Sequence, residues 1–323
     1  MIQTSGFRPA WWLPGAHAQT IYPFLRKRPG QIKLGWERLQ LPDDDFIDLV
    51  WSDETGGPII LILHGLEGSI ESHYVNGAMI AMFNQGWRPI LMHFRGCSGT
   101  HNIKARGYHS GETGDLRFLI KTIHARYPDK KLAAVGFSLG GNVLLKYLGE
   151  YGKDCRIDAA VAVSVPFVLI DAADRLNSGF SKIYQRHLIQ QIQKRIKDKF
   201  EIREDAPFSL TEISKWNNFH LFDNFVTAPL HGFSNSTEYY RLCSSRQFLK
   251  NICIPVLVIH AKDDPFLSTE AIPGAADLPG NVTLEISEKG GHVGFIEGPL
   301  PWRPHYWLES RIPEYLKNYF ARQ

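Results

Sequence analysis

The stretch Val135-Gly136-Phe137-Ser138-Leu139-Gly140-Gly141-Asn142 constrains this chain more than any other. It follows the apolar run Leu132-Ala133-Ala134-Val135, which reads as a short buried strand, and it precedes Val143-Leu144-Leu145-Lys146-Tyr147-Leu148, which reads as a helix. A Gly-x-Ser-x-Gly string by itself is an ordinary turn sequence. Between a strand and a helix it describes a turn so tight that the serine is held in a strained backbone conformation with its hydroxyl exposed. Side chains two residues either side would collide with neighbouring backbone, and glycine at 136 and 140 removes them. The helix begins directly after Ser138, so free N–H groups and the positive end of the helix dipole face any negative charge growing beside that hydroxyl.

The surrounding segments supply the sheet that such a turn requires. Ile59-Ile60-Leu61-Ile62-Leu63 is a continuous apolar run, as expected of a strand covered on both faces, and it ends in His64-Gly65-Leu66-Glu67-Gly68. A helix over 74–84, a strand over 89–94, a helix over 112–126 and a strand over 157–165 continue the alternation, which predicts a parallel, doubly wound sheet. Ahead of it, extended runs over 33–41 and 46–51 flank the turn cluster Pro42-Asp43-Asp44-Asp45 and predict an antiparallel hairpin. Residues 7–28 are rich in Trp, Pro and His without a sustained period, and read as an arm packed on the main body.

The alternation stops between 167 and 246. This segment contains Leu188, Ile192 and Ile196 at i, i+4 and i+8, an amphipathic helix with a basic outer face. An insertion at this point lies above the carboxyl edge of the sheet, so a helical lid is expected there. The sheet resumes over 254–260 and 282–286, and an amphipathic helix over 312–320 closes the chain. The expected architecture is α/β: a mostly parallel, doubly wound sheet of about eight strands, an N-terminal antiparallel hairpin, and a helical lid inserted after the sixth strand. The core would comprise 1–166, with an arm over 1–30, and 247–323; the lid would be 167–246.

Composition narrows the chemistry. With 323 residues and 44% hydrophobic residues the chain can bury a large core, while a net charge of +3 is too small and too scattered for a nucleic-acid partner. No run approaches the ~18–20 apolar residues of a membrane span, and the amino terminus lacks a signal-peptide layout, so a soluble, cytoplasmic protein is expected. Peripheral contact with a membrane through the basic lid helix is a further reading, less favoured than simple packing on the body. Cys97, Cys155, Cys243 and Cys253 are far apart and form no C-x-x-C pair, and there is no H-E-x-x-H, Walker A or G-x-G-x-x-G string. Neither a metal nor a cofactor is expected. The sequence carries no signal for an oligomeric state.

Two further residues stand in the same relation to the sheet as Ser138. Asp264, in Ala261-Lys262-Asp263-Asp264-Pro265-Phe266, follows the strand over 254–260; His292, in Lys289-Gly290-Gly291-His292-Val293-Gly294-Phe295, follows the strand over 282–286. Parallel strands put their carboxyl ends on one edge, so three loops far apart in sequence converge. Serine, acid and histidine, each just past a core strand, form one constellation on this reading. Successive residues leaving a strand point to opposite sides, so only one of Asp263 and Asp264 can face His292.

These stretches, in the order Ser, Asp, His, resemble the α/β-hydrolases, and more narrowly the YheT-type esterases, relatives of the eukaryotic α/β-hydrolase-domain lipases and acyl esterases. The resemblance extends to Leu13-Pro14-Gly15-Ala16-His17-Ala18-Gln19-Thr20, Phe94-Arg95-Gly96-Cys97-Ser98-Gly99, Tyr108-His109-Ser110-Gly111-Glu112-Thr113-Gly114-Asp115, Phe222-Asp223, Gly232-Phe233 and Tyr239-Tyr240, and so covers nearly the whole chain. It implies a carboxylic-ester hydrolase acting on a small-molecule ester, with Ser138 as nucleophile, His292 as base and Asp264 as its orienting acid; in the hydrolase pattern a short apolar stretch follows the acid, which Asp264-Pro265-Phe266-Leu267 fits better than a register starting at Asp263. Thioester hydrolysis and acyl transfer would use the same groups, and a scaffold retained only for binding is a third reading against which the intact set of three argues. The backbone N–H groups of Leu66 and Leu139 are the natural pair of oxyanion donors. Arg95, Tyr108, His109, Glu112 and Asp115 are expected to brace loops rather than act on substrate. Ile183, Leu188, Ile192, Ile196, Phe219, Leu221, Phe222 and Phe225 exceed the needs of a polar surface segment and can line an acyl pocket or pack the lid.

Overall fold

A computed structural model describes residues 1–26 and 32–320. In chain order, strand β1 (Ile2–Thr4) and helix α1 (Ala16–Leu25) make up the arm, and β2 (Leu34–Gln40) and β3 (Phe46–Ser52) form the hairpin. The alternating part runs β4 (Ile59–Leu63), α2 (His73–Phe83), β5 (Arg88–Met92), α3 (Gly114–Arg126), β6 (Leu132–Phe137), α4 (Leu139–Tyr151), β7 (Ala159–Val163). The insertion holds α5 (Leu169–Leu176), α6 (Lys182–Phe200), α7 (Phe219–Phe222), α8 (Ala228–His231) and α9 (Ser236–Cys243). The chain then returns to the sheet with β8 (Val256–Ala261) and β9 (Val282–Ser287), adds a hairpin of β10 (Ile296–Leu300) and β11 (Arg303–Tyr306), and ends in α10 (Trp307–Phe320).

The main sheet has the order β1-β9-β8-β7-β6-β4-β5-β3-β2. Every pairing from β1 to β5 is parallel; the two pairings of β3, with β5 and with β2, are antiparallel. Side chains of the central strands alternate between two cores, as a period of two requires. Leu61 and Leu63 join Leu116, Leu144 and Leu148 beneath α3 and α4, whereas Ile60 and Ile62 join Val75, Met79, Ile312 and Leu316 beneath α2 and α10. Each of these fully buried aliphatic side chains contributes about 1.5–3 kcal/mol of transfer free energy. The carboxyl edge of the sheet is thereby held rigid between two helical layers.

Three features differ from the sequence-based expectation. The main sheet has nine strands among the described residues, not about eight, because the arm contributes β1 at the edge beside β9. The helical insertion therefore follows the seventh strand in chain order, not the sixth. The arm is also more regular than expected, since α1 forms despite Pro23 within it; its residues 27–30 lie outside the described residues. The insertion packs a core of its own around Leu169, Ile192, Phe200, Trp216 and Tyr240. No helix among the described residues is long and apolar enough to cross a membrane.

Candidate active site

Ser138 occupies the turn between β6 and α4 with φ 51° and ψ −119°. A non-glycine residue at positive φ is uncommon and persists only where its surroundings over-determine it. They do so here. A β-carbon at Gly136 would stand 2.5 Å from the Gly140 carbonyl oxygen, and one at Gly140 would stand 2.5 Å from the carbonyl oxygens of Leu63 and His64. The N–H of Ser138 is held by the Val163 carbonyl at 2.8 Å, which ties the turn to β7.

The structure brings Ser138, His292 and Asp264 into one hydrogen-bonded chain. Asp264 Oδ2 lies 2.8 Å from His292 Nδ1, and His292 Nε2 lies 2.9 Å from Ser138 Oγ. In the neutral ring, Nδ1–H donates to the carboxylate and Nε2 is left to accept from the serine hydroxyl. The Asp264 side chain is 1% exposed and that of His292 9%. The second oxygen of Asp264 is also engaged, since Oδ1 accepts from the Phe266 N–H at 2.8 Å. Phe266 then lays its ring flat on the imidazole, centroid to centroid 4.1 Å and 7° from parallel. Neighbouring Asp263 points elsewhere: its Oδ1 accepts from the Gly291 N–H at 2.9 Å.

The loop carrying His292 is shaped by contacts that no sequence spacing announced. The His292 N–H donates to Thr20 Oγ1 of α1 at 2.9 Å, and the Val293 N–H donates to Ser164 Oγ at 3.0 Å. Val293 and Phe295 sit at φ 57° and 48°, strained for a β-branched and an aromatic residue. Thr20 belongs to the His17-Ala18-Gln19-Thr20 stretch, so its presence in a resembling motif was the available signal. Ser164 had none.

Between β4 and α2, the chain passes the same edge as residues 64–68. Burial pushes His64 down to about 3, so its ring is neutral; Nδ1–H donates to the Gly65 carbonyl at 2.7 Å while Nε2 accepts from the Phe94 N–H at 3.1 Å. The Gly65 N–H donates to the Tyr74 hydroxyl at 2.8 Å, the Glu67 N–H to the Tyr108 hydroxyl at 2.9 Å, and the Gly68 N–H to the Gly65 carbonyl at 3.0 Å. Of these four consecutive N–H groups, that of Leu66 has no acceptor among the described residues. The N–H of Leu139, first residue of α4, has no acceptor within its helix.

A cavity of about 830 Å³ opens over Ser138 and His292, within the range of small-molecule sites. Its floor is Gly65, Leu66, Ser138 and Leu139; Ile183, Leu188, Ile192, Ile196, Phe219 and Phe222 of the insertion form its apolar wall. Leu221 and Phe225, also expected as lining, are not part of it. They are 38% and 44% exposed, and Phe225 stacks on Trp216 at 5.4 Å. The reason is local: Phe219, Phe222 and Val226, which do line the cavity, are spaced i, i+3 and i+7, and the helical period carries Leu221 and Phe225 to another face.

Of the residues expected to brace loops, Arg95, Glu112 and Asp115 make such contacts. Arg95, 2% exposed, donates to both oxygens of Asp115 at 2.7 and 2.6 Å and to Asp43 and Asp45 at 2.8 and 2.9 Å. Glu112 accepts from Arg106 and from the Gly114 N–H at the start of α3. Tyr108 and His109 do line the cavity, but the Tyr108 hydroxyl is committed to the 64–68 loop. Asn142, fully buried, sends its amide to the carbonyls of Ser110 and Cys243 at 2.7 and 2.8 Å and so joins α4 to the insertion. Among the described residues no cluster of three or more His, Cys, Asp or Glu side chains is arranged to hold a metal ion.

A family model described as "alpha/beta hydrolase fold" matches residues 58–299. The chain is 41% identical over 318 residues to the Escherichia coli (strain K12) protein named "Putative esterase YheT", spanning 97% of this chain and 93% of that one. It is 30% identical over 315 residues to the mouse protein named "Phospholipase ABHD3", covering 93% of this chain and 75% of the relative. Among solved structures, the Pyrococcus furiosus esterase Pf2001 superposes with a TM-score of 0.60 over 90% of this chain and 92% of that one. At 18% identity that likeness is one of fold alone. The sequence match and the architecture agree: this chain belongs to the α/β-hydrolase family, among its esterase- and lipase-type members, and is YheT-like.

Proposed function

We propose that the protein hydrolyses carboxylic esters through an acyl-serine intermediate, with Ser138, His292 and Asp264 as its catalytic residues. The observation that carries this reading is the unbroken chain from Asp264 Oδ2 through both ring nitrogens of His292 to Ser138 Oγ, at 2.8 and 2.9 Å, at the base of a largely apolar cavity. His292 Nε2 takes the hydroxyl proton as Oγ attacks the acyl carbonyl carbon. Asp264 holds the Nδ1–H tautomer and stabilises the imidazolium that forms. The carbonyl oxygen, now an oxyanion, accepts from the N–H groups of Leu66 and Leu139; one such donor is worth about 3–4 kcal/mol in the transition state. The imidazolium returns its proton to the leaving alkoxide, and water repeats the sequence on the acyl-serine.

The insertion over 167–246 acts in this reading as a lid that receives the acyl chain. Its aliphatic wall suits a hydrocarbon, and the floor supplies the polar groups. Labelling by a fluorophosphonate probe, read by intact mass, tests the nucleophile. A panel of p-nitrophenyl esters and acyl-thioesters of graded chain length tests the substrate class. Labelling at Ser138 with faster turnover of oxoesters than of matched thioesters is expected; labelling elsewhere, or turnover confined to thioesters, refutes the reading.

A further inference from the structure

The Leu66 N–H, without an acceptor among the described residues, is followed directly by Glu67, a non-glycine residue at φ 52°. That conformation needs an external hold, and the contacts of Glu67 supply one. Its carboxylate accepts the Tyr108 hydroxyl on Oε1 at 2.8 Å, and Arg195 Nε approaches both carboxylate oxygens at 3.0 Å. The ion pair is buried, with side chains 9% and 13% exposed. The Arg195 guanidinium lies 5.2 Å from the Tyr108 ring centroid, and its Nη1 rests over Gly96 and Gly107, where a β-carbon would stand 3.6 and 3.8 Å away. Arg195 is carried by α6 of the insertion, 128 residues from its partner. A buried carboxylate deprived of its cation is left uncompensated, which weakens the hold on this strained residue.

We infer that Arg195 is a positioning residue for the reaction: by holding Glu67 it fixes the Leu66 N–H on the oxyanion, and so makes the reactive geometry conditional on a docked insertion. This rests on the ester-hydrolase reading above. The rival account is that the pair merely anchors α6, and the structure contains a matched control for it. Lys199, one turn along the same helix, donates to Asn102 Oδ1 at 2.8 Å and to the carbonyls of Ala105 and Arg106 at 3.0 Å, anchoring α6 to the core without touching residues 64–68.

The test compares Arg195→Met, Arg195→Lys and Lys199→Met in the full chain, with turnover divided by the fraction of Ser138 labelled to completion by fluorophosphonate. Arg195→Met is expected to lower kcat about 10–100-fold with little change in KM. It should also weaken inhibition by an alkyl boronic acid, whose tetrahedral adduct places an oxygen where the oxyanion forms, by the same factor. Arg195→Lys should recover part of both, and Lys199→Met should lower Tm while changing kcat per labelled site less than three-fold. Should Arg195→Met not fold, Glu67→Gln, which keeps the shape and loses the charge, carries the same expectation in reduced size. Unchanged kcat and boronate affinity in the Arg195 or Glu67 variants overturns the inference and leaves ester hydrolysis standing. Absence of labelling and turnover in the wild type removes both.

Discussion

Asp263 and Asp264, consecutive in sequence, hold the same histidine loop at two points, one by its side chain and one by its backbone: Asp264 Oδ2 meets the His292 ring at 2.8 Å and Asp263 Oδ1 meets the Gly291 N–H at 2.9 Å. Burial pushes the Asp263 carboxyl up, with the N–H groups of Gly291 and Gly290 opposing it. Asp264→Asn removes tautomer control and is expected to lower kcat by about 10³–10⁴-fold. Asp263→Asn, whose amide oxygen can still accept from Gly291, should alter kcat less than ten-fold and act mainly on stability. Steady-state kinetics of the two variants checks this; the reverse ranking reassigns the acid to Asp263.

Ser138→Ala is expected to abolish ester turnover and fluorophosphonate labelling while the fold persists, because the turn accommodates the smaller side chain. Circular dichroism and intact mass decide the matter. Labelling retained at another serine sinks the assignment.

Ile192, 6% exposed, lies on the cavity wall, whereas Phe225 stacks on Trp216 outside it. Ile192→Trp should shift preference towards shorter acyl chains through KM and leave acetate esters nearly untouched, at a cost of about 1–3 kcal/mol from overpacking. Phe225→Trp should leave the chain-length profile unchanged. An equal loss at all chain lengths for Ile192→Trp would mark this wall as packing only.

Asp223 is buried with Thr227 and Tyr240 hydroxyls donating to it at 2.6 and 2.8 Å, and burial pushes its carboxyl up to about 6 against those hydrogen bonds. An unfolded chain releases this proton near 3.9, so folded protein binds it more tightly between those values and loses stability as pH rises through the window. From pH 4 to pH 7 the expected loss from this group is about 2–3 kcal/mol. Asp223→Asn removes that slope. Denaturant unfolding of both proteins at pH 4.5, 6 and 7.5 measures it, and parallel pH profiles for the two contradict the assignment.

Much of the fold was legible because its signals are local. Apolar runs of five and four residues announced β4 and β6, and glycines at 136 and 140 announced the turn at Ser138. Strand ends and topology brought Asp263, Asp264 and His292 to one edge, and the resemblance to the hydrolase pattern singled out Asp264. What escaped has little local signature. Strand β1 is three residues whose pairing with β9 is decided by a segment that lies beyond position 280. Helix α1 contains a proline, and Leu221 and Phe225 differ from the cavity-facing Phe219, Phe222 and Val226 only in phase along helical turns too short to show their period. The Glu67–Arg195 pair joins a core loop to the insertion across 128 residues, and only the folded chain brings them together.

The arm's contacts set a schedule for synthesis. Thr20 waits 272 residues for the His292 N–H it receives, and the Met1 amine donates to the Val282 carbonyl across 281. Contacts this distant in sequence are slow to form and cannot form on a nascent chain that still lacks its last strands. A ribosome thus delivers Ser138 long before the support for its histidine is complete. Chains halted before β9 would carry Ser138 without His292, so the hydrogen-bonded chain from Asp264 to Ser138 can close only once translation has passed both sides of the histidine loop.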